Sequence, residues 1–247
     1  MEEIIRNKEY RLYILDGHGT CCSDDPRPVP SALTHPLRGG AMSSPQSSSM
    51  TIPQHIVVER DACIDMVLLV MPGVSCDVKL DVRLAGEGAE ANIYGAYVCG
   101  SQERVKISVD MHHDLPHCNS RQLFKGIAGG TSKVDFYGKI IVAQDAQRTE
   151  AYQENHNILL TDGAKVDTKP QLEIYADDVK CSHGATIGRL NEEEQFYMRS
   201  RGISLEDAKV LQMISFIAPI LENIPEADRE AVAVQFEDAI RNIVRNS

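Results

Sequence analysis

The chain has 247 residues, of which 43% are hydrophobic and 25% are charged, and its formal net charge is −11. This composition is that of a globular protein and excludes a largely disordered chain, while the acidic surface disfavours nucleic acid as a partner because it repels phosphates. The absence of a long apolar stretch, of an export signal and of a CxxC pair among the seven cysteines predicts a cytoplasmic protein without membrane contact.

Residues 1–50 differ in composition from the rest of the chain. Residues 24–30 contain three prolines, which fix the backbone and remove hydrogen-bond donors, and residues 39–49 have the glycine- and serine-rich composition of a linker. Only residues 4–15 could form a regular element, and the pattern does not determine its type. We therefore predict an irregular or disordered N-terminal segment over residues 1–50.

Residues 51–190 alternate between polar and apolar side chains. The alternation is unbroken over residues 79–84, 105–109 and 171–176, and it is typical of strands because successive side chains of a strand point to opposite faces. Glycine, proline and aspartate turn signals recur between these segments. Such a β region is a sandwich, a barrel or a β-solenoid, and periodicity alone does not choose among the three.

The pattern becomes helical at the C-terminal end of the chain. A capping-box signal at Asn191 and a glycine stop at Gly202 delimit a first helix. A second helix is predicted to begin after Ser204, and Pro225 fits the first turn of a third. Residues 191–247 are therefore predicted to form a small helical domain after the β region of residues 51–190.

Two side chains near the end of the β region are candidate metal ligands. If their segment is a strand, Cys181 and His183 share one face, with Cα atoms roughly 6.5–7 Å apart. A thiolate and an imidazole at that separation can reach one metal ion or one iron–sulfur cluster. Two ligands do not complete a site, so the others would come from elsewhere in the chain or from another subunit. The alternative is a buried cysteine beside a histidine with a structural hydrogen bond.

A second group of candidate ligands contains three histidines and one cysteine within seven residues, the composition of a zinc loop. These residues are His112, His113, His117 and Cys118. Adjacent histidines face opposite ways on a strand, so solvated turn histidines are the alternative. No GxxxxGK[ST] motif occurs, and direct nucleotide binding through a P-loop is therefore not expected.

Several stretches together resemble a known protein family. The most specific is TKPQLEIYADDVKCSHGAT, residues 168–186, and the similarity continues through FYMRSRGI, residues 196–203. Shorter matches are FKG at 124–126, GKI at 138–140, AQRT at 146–149 and QEN at 153–155. With these residues the chain resembles the SufB/SufD family of iron–sulfur cluster assembly proteins, and the SufD branch more than the SufB branch. The resemblance covers about residues 55–245, and the chain would be a short form, because members of this family usually run longer at the N-terminus.

The resemblance implies a mainly β fold, in which a parallel, right-handed β-helix is followed by a small helical domain. It also implies a scaffold subunit that is not an enzyme, that works with an ABC-type ATPase, SufC-like, and that pairs with a SufB-like chain or a second copy of itself. The cofactor would be a transient iron–sulfur cluster shared with the partner, and this chain would not bind nucleotide directly.

The resemblance also implies roles for particular residues. His183 is the best candidate cluster ligand and Cys181 the second. We expect ATP-driven dimerisation of the ATPase to strain the β-helix interface and to expose buried Cys181 or His183 to iron and sulfur donors. The ATPase-docking region would comprise Phe196, Tyr197, Arg199, Arg201 and Gly202.

Two alternatives remain open at this point. One is a stand-alone metal-binding enzyme that uses the histidine-rich loop at residues 112–118. The other is a purely structural partner of the ATPase that never contacts a cluster.

Overall fold

A computed structural model of the chain describes residues 2–15, 21–22 and 52–245. The described structure is mainly parallel β, a solenoid of about 5 turns followed by three helices. The predicted fold class is therefore confirmed, and of the three β architectures left open by periodicity the solenoid is the one present. The proline- and serine-rich stretches predicted to be irregular, at residues 24–30 and 39–49, lie outside the described residues.

Thirteen strands are described, and they form two facing sheets of the solenoid. In chain order they are β1 (Glu2–Ile5), β2 (Lys8–Leu15), β3 (Cys21–Cys22), β4 (His55–Val58), β5 (Cys63–Val70), β6 (Cys76–Leu84), β7 (Glu90–Cys99), β8 (Arg104–His113), β9 (Asn119–Ala128), β10 (Lys133–Val142), β11 (Glu150–Leu159), β12 (Lys165–Ile174) and β13 (Lys180–Gly188). The six-stranded sheet has the order β1-β4-β6-β8-β10-β12, and the seven-stranded sheet has the order β13-β11-β9-β7-β5-β2-β3.

Successive turns of the solenoid stack in register. Apart from the short antiparallel contact between β2 and β3, every described strand pair is parallel. Phe136 in β10, for example, lies beside Ile107 in β8 and Thr168 in β12. Because the side-chain period of a strand is two, each inward position forms a column that runs along the solenoid axis.

Two hydrophobic cores stabilise the molecule. The first fills the space between the two sheets with mainly aliphatic side chains. The second lies between the outer face of the seven-stranded sheet and the helices, and it joins Val67, Leu69 and Val98 of the sheet to Ile217 and Phe236 of the helices. Strand β5 therefore has buried side chains on both faces over its last residues, which explains why its sequence is a continuous apolar run and does not alternate.

Three helices follow the solenoid, and their starts agree with the capping signals. They are α1 (Glu192–Ser200), α2 (Leu205–Leu221) and α3 (Glu226–Arg245). The Asn191 side chain accepts hydrogen bonds from two backbone N–H groups of α1, and Ser204 accepts one in α2. The reciprocal half of the predicted capping box is absent, because the Glu194 carboxylate accepts a hydrogen bond from Gln212 of α2 instead. Gly202 follows α1 with φ +89, the left-handed conformation that glycine adopts readily.

The structure differs from the prediction for the start of the chain. Residues 1–50 are predicted to be irregular, with one possible element of undetermined type at residues 4–15, yet β1 and β2 form the first turn of the solenoid, paired in parallel with β4 and β5. A short strand with weak alternation gains its stability from the neighbouring turn, and this tertiary contribution is not visible in the local sequence.

Replacing the N-cap serine of α2 should lower the stability of the protein. Ser204→Ala removes the acceptor for the Asp207 N–H, at 3.0 Å, and we expect a loss of about 1 kcal/mol in the free energy of unfolding by urea. Ser215→Ala is the matched control, because Ser215 is exposed within the same helix and caps nothing. Equal effects of the two substitutions would contradict the capping role.

Candidate functional site

The candidate cluster ligands lie on an edge strand at the end of the solenoid. β13 pairs on one side with β11, and no other described strand pairs with its second side. Cys181 and His183 align with Ala151 and Gln153, whose side chains are fully buried inside the solenoid. The two candidates therefore share the inward face of β13, as their spacing predicts. His183 is exposed and Cys181 is half-buried, because no described turn stacks on this strand.

The two candidate ligands differ in their accessibility. The prediction is that strain at the interface exposes Cys181 or His183, and in the isolated chain the His183 side chain is already exposed. The reason is its place in the last turn of the solenoid, where the inward column has no next layer above it. Only Cys181, which packs partly against the inter-sheet core, keeps the expected partial burial.

The surroundings of Cys181 do not favour the thiolate form of its side chain. Burial raises the pKa of Cys181, and a backbone hydrogen bond at Ala151 offsets this in part. A thiol with a raised pKa is protonated near neutral pH, and the thiolate is the form that binds metal. A metal ion or another positive charge would therefore have to arrive before this side chain can act as a ligand.

The end of the solenoid also exposes apolar side chains and free strand edges. Ile174 of β12 and Ile187 of β13 occupy inward columns, and they are 40% and 45% exposed. Among the described strands none pairs with the outer edges of β12 and β13. Unpaired edges beside exposed apolar side chains favour pairing with another chain. The buried Thr168 hydroxyl of β12 also lacks a hydrogen-bond partner.

The interior below these ligands is polar, which the alternation of polar and apolar residues does not predict. In β5 the inward positions are apolar, whereas in β9 and β11 buried amides replace them. These amide side chains are Gln122, Gln153, Asn155 and Asn157. The signal was available in β11, where inward and outward positions are both polar, but only the strand register shows which of them point inside. Buried amides are costly unless they are hydrogen-bonded, and these four bond to one another and to the Tyr97 hydroxyl.

The histidine-rich loop does not assemble into a metal site. His112 points outward, 3.8 Å from an oxygen of Asp81, whereas His113 points inward and is fully buried. His117 is exposed in a turn with φ +60, and Cys118 is buried, with its thiol donating to the Gly86 carbonyl. In the described part of the chain, no group of three or more His, Cys, Asp or Glu side chains is arranged to hold a metal ion. The alternative of solvated turn histidines fits only His117.

His113 should make the stability of the protein sensitive to acid. Burial, with a smaller contribution from His112, lowers the pKa of His113 from 6.5 to about 4. The unfolded chain therefore binds a proton that the folded chain does not, and stability is lost as the pH falls from 6.5 towards 4. Between about pH 7.5 and about pH 5 we expect a loss of about 2 kcal/mol in the free energy of unfolding by urea.

The control for this acid sensitivity is a pair of variants. His113→Gln removes the buried group and should flatten the pH dependence of the urea midpoint between the two pH values. His117→Gln removes an exposed histidine and should leave that dependence unchanged. An undiminished dependence in His113→Gln would show that other groups cause it.

The predicted ATPase-docking residues lie together on the surface of the helical domain. No residue of α1 is buried, and Phe196 and Tyr197 are 74% and 59% exposed. The Arg201 guanidinium stacks on the Tyr197 ring at 5.0 Å. Arg199 and Gly202 are exposed beside them. Adjacent exposed aromatic and arginine side chains have the composition of interface hot spots.

A cleft lies next to this aromatic surface. It has a volume of about 760 Å³ and lies between α1, α2 and the end of β11, and its apolar lining includes Tyr197, Met198, Leu211 and Phe216. The Lys125 Nζ atom of β9 lies over the Phe216 ring, 4.7 Å from its centroid. The cleft thus connects the exposed face of α1 to the seven-stranded sheet that ends in β13.

None of the described helices is long and apolar enough to cross a membrane.

Comparison with known proteins matches most of this structure to one family. The family model described as "SUF system FeS cluster assembly, SufBD core domain" matches residues 43–216. Residues of this chain are 44% identical to the iron–sulfur cluster assembly protein SufD of Escherichia coli over 140 residues, which is 57% of this chain and 33% of that protein.

Two further relatives show the same similarity. A SufBD family protein of Synechocystis is 47% identical over 112 residues, 45% of this chain and 25% of the relative. A SufBD family protein of Mycobacterium tuberculosis is 30% identical over 194 residues, 74% of this chain and 49% of the relative. The chain thus spans less than half the length of each of these relatives.

Proposed function

We propose that this chain, which belongs to the SufBD family of SUF-system iron–sulfur cluster assembly proteins, is a non-catalytic scaffold subunit on which a nascent cluster forms. It works in the cytoplasm with a SufC-like ATPase, and with a SufB-like chain or a second copy of itself. The observation that carries the proposal is the open end of the solenoid, where Cys181 and His183 share the inward face of an edge strand.

The two candidate ligands suit the proposed cargo but do not suffice for it. Thiolate sulfur and imidazole nitrogen are both found as ligands of iron–sulfur clusters. A cluster needs more ligands than these two, and no described group of three or more ligand side chains exists in this chain. The remaining ligands would come from the chain that docks here. The cluster then belongs to the interface, which also explains how it can be released when the interface moves.

The partner surface is the end of the solenoid itself. The free edges of β12 and β13 offer backbone hydrogen bonds, and Ile174 and Ile187 offer apolar area beside them. A second solenoid of the same kind can extend both sheets and cover these side chains. Both a SufB-like chain and a second copy satisfy this geometry.

The ATPase would dock on α1 and in the adjacent cleft. The helical domain is joined to the seven-stranded sheet by a continuous apolar core, so a movement of the helices is resisted by the sheet and transmitted to it. β13 is the edge strand of that sheet. Dimerisation of two ATPases would therefore strain the strand that carries both ligands, and the step would expose Cys181 or His183 from beneath the docked partner.

Anaerobic co-purification tests the proposed role. The full chain is expressed with the SufC-like ATPase and the SufB-like chain, and the complex is isolated by size exclusion and incubated with ferrous iron and a sulfide source. We expect a stable complex that develops cluster absorption, and no such absorption when this chain is omitted. Failure of the complex to form would overturn the scaffold role. A complex whose cluster content does not depend on this chain would support the purely structural alternative.

A further inference from the structure

Two buried glutamines form a hydrogen-bonded ladder that ends beneath His183. The column that contains them runs through Arg11, Met66, Ile93, Gln122, Gln153 and His183, one position from each turn of the seven-stranded sheet. The side chains of both glutamines are fully buried. The Gln153 amide N–H donates to the Gln122 side-chain carbonyl at 2.9 Å, along the solenoid axis.

The ladder leaves one polar atom of each glutamine unpaired. The Gln122 side-chain nitrogen and the Gln153 side-chain carbonyl oxygen are buried and have no hydrogen-bond partner among the described residues. An unpaired buried acceptor costs stability, so it calls for an explanation when the side chain is otherwise well held. The next position in the column is His183, whose ring makes no hydrogen bond to any described residue. Neighbouring strands lie about 4.8 Å apart, which a ring and an amide in one column can span.

Gln153 is held in place from two sides. Its hydrogen bond to Gln122 fixes one end of the amide. On the facing sheet, Gly138 leaves the space that the amide occupies, since a Cβ atom at residue 138 would lie 2.3 Å from the Gln153 side-chain nitrogen. A larger residue at position 138 would therefore push the amide out of the ladder. The Gln153 amide is thus held in a fixed position in the column, at the register position next to His183.

We propose that Gln153 is a positioning residue for His183. Its side-chain carbonyl accepts a hydrogen bond from one N–H of the neutral imidazole, which selects one tautomer and fixes the ring plane. The other ring nitrogen then keeps its lone pair and faces the open end of the solenoid. Histidine ligands of metals commonly donate their second ring N–H to such an acceptor. Only this last step, the presentation of the lone pair to iron, rests on the proposed function.

The test is a measurement of the His183 tautomer in the full-length protein. Long-range ¹H–¹⁵N correlation spectra of histidine-labelled chain report the two ring nitrogens, and His183→Gln identifies the signals that belong to residue 183. In the unsubstituted chain we expect one dominant tautomer. Gln153→Met keeps the side-chain length but removes the acceptor. In this variant the ratio of the major to the minor His183 tautomer should fall about 2- to 10-fold, which corresponds to the net free energy of one hydrogen bond.

Two further variants separate positioning from general damage. Asn155→Leu removes another buried amide from the same strand and face, and this residue faces Ala185 instead of His183. It should destabilise the protein yet leave the His183 tautomer unchanged. Gln153→Glu retains an acceptor and should keep the dominant tautomer. Identical His183 signals in the unsubstituted chain and in Gln153→Met overturn the proposal, as does an equal change in Asn155→Leu.

The outcome for positioning is independent of the outcome for cluster assembly. If Gln153→Met changes the tautomer while His183→Ala leaves cluster formation unaffected, positioning stands and the ligand role of His183 fails. If both proposals hold, the iron content of the Gln153→Met complex at limiting iron should fall by roughly 10-fold or more, as is typical when a partner of a metal ligand is removed. Normal iron content together with an unchanged tautomer would overturn the positioning role alone.

Discussion

His183→Ala is expected to remove the cluster absorption of the reconstituted complex while the complex itself stays assembled. The side chain is exposed on an edge strand and contributes little to either core, so the substitution should not affect folding. It removes one of the two proposed ligand side chains at the open end of the solenoid. Loss of a direct ligand should lower the cluster content at least about 10-fold, more than the loss of a residue that only supports a ligand.

The measurement compares absorption spectra and iron and sulfide content after anaerobic reconstitution with a sulfide source. His117→Ala is the matched control, because His117 is also exposed but lies in a turn away from the open end. Size exclusion must show the same complex for all three proteins. Unchanged absorption in His183→Ala would leave this chain as a structural clamp for the ATPase, and Cys181 and His183 as ordinary strand residues.

Phe196→Ala is expected to weaken binding of the SufC-like ATPase by about 30-fold or more. The Phe196 side chain is 74% exposed on a helix without any buried residue, so the substitution removes contact area without creating a cavity. Truncation of an aromatic hot spot typically costs about 2 kcal/mol or more in binding free energy. Isothermal titration of the purified full-length chain with the ATPase gives the dissociation constant directly.

The control for this prediction is Val234→Ala on α3. Val234 is also an exposed apolar side chain, 54% accessible, but it lies outside the α1 surface and the adjacent cleft. It should bind the ATPase like the unsubstituted protein. Equal affinities for Phe196→Ala and the unsubstituted chain would place ATPase docking elsewhere.

Together the two variants test whether docking and cluster formation are separable. His183 lies at the end of the solenoid and Phe196 on the helical domain, and the two do not share a hydrophobic core. His183→Ala should therefore keep ATPase affinity. Phe196→Ala should keep the intrinsic ability of the chain to pair through β12 and β13.

The helix starts could be predicted from the sequence because capping is local. Asn191 and Ser204 each satisfy backbone donors within three residues along the chain, so the signal and its effect lie in one short segment. The second hydrogen bond of the predicted capping box, from the Asn191 N–H to the Glu194 carboxylate, is absent for the opposite reason. Gln212, 18 residues away along the chain, donates a hydrogen bond to the Glu194 carboxylate. The sequence near Asn191 contains no signal for this contact.

Periodicity likewise determined that Cys181 and His183 share a face, since that follows from the geometry of a single strand. It could not determine which face, or what lies behind it. The histidine-rich loop shows the same limit of sequence periodicity. Alternation predicts that His112 and His113 lie on opposite faces, but the burial of His113 depends on the opposite sheet.

The sequence by itself therefore determined the strand periodicity, the helix starts and the residues that mark the family. Periodicity left the solenoid open and only the family resemblance implied it, whereas the tertiary structure alone decided that β1 and β2 belong to the solenoid and that its last turn stays open. It also decided the ladder, because Gln122 and Gln153 meet from positions 31 residues apart. The physical reason is that the faces of a strand are set by its own backbone, whereas its register is set by the packing of all the turns together.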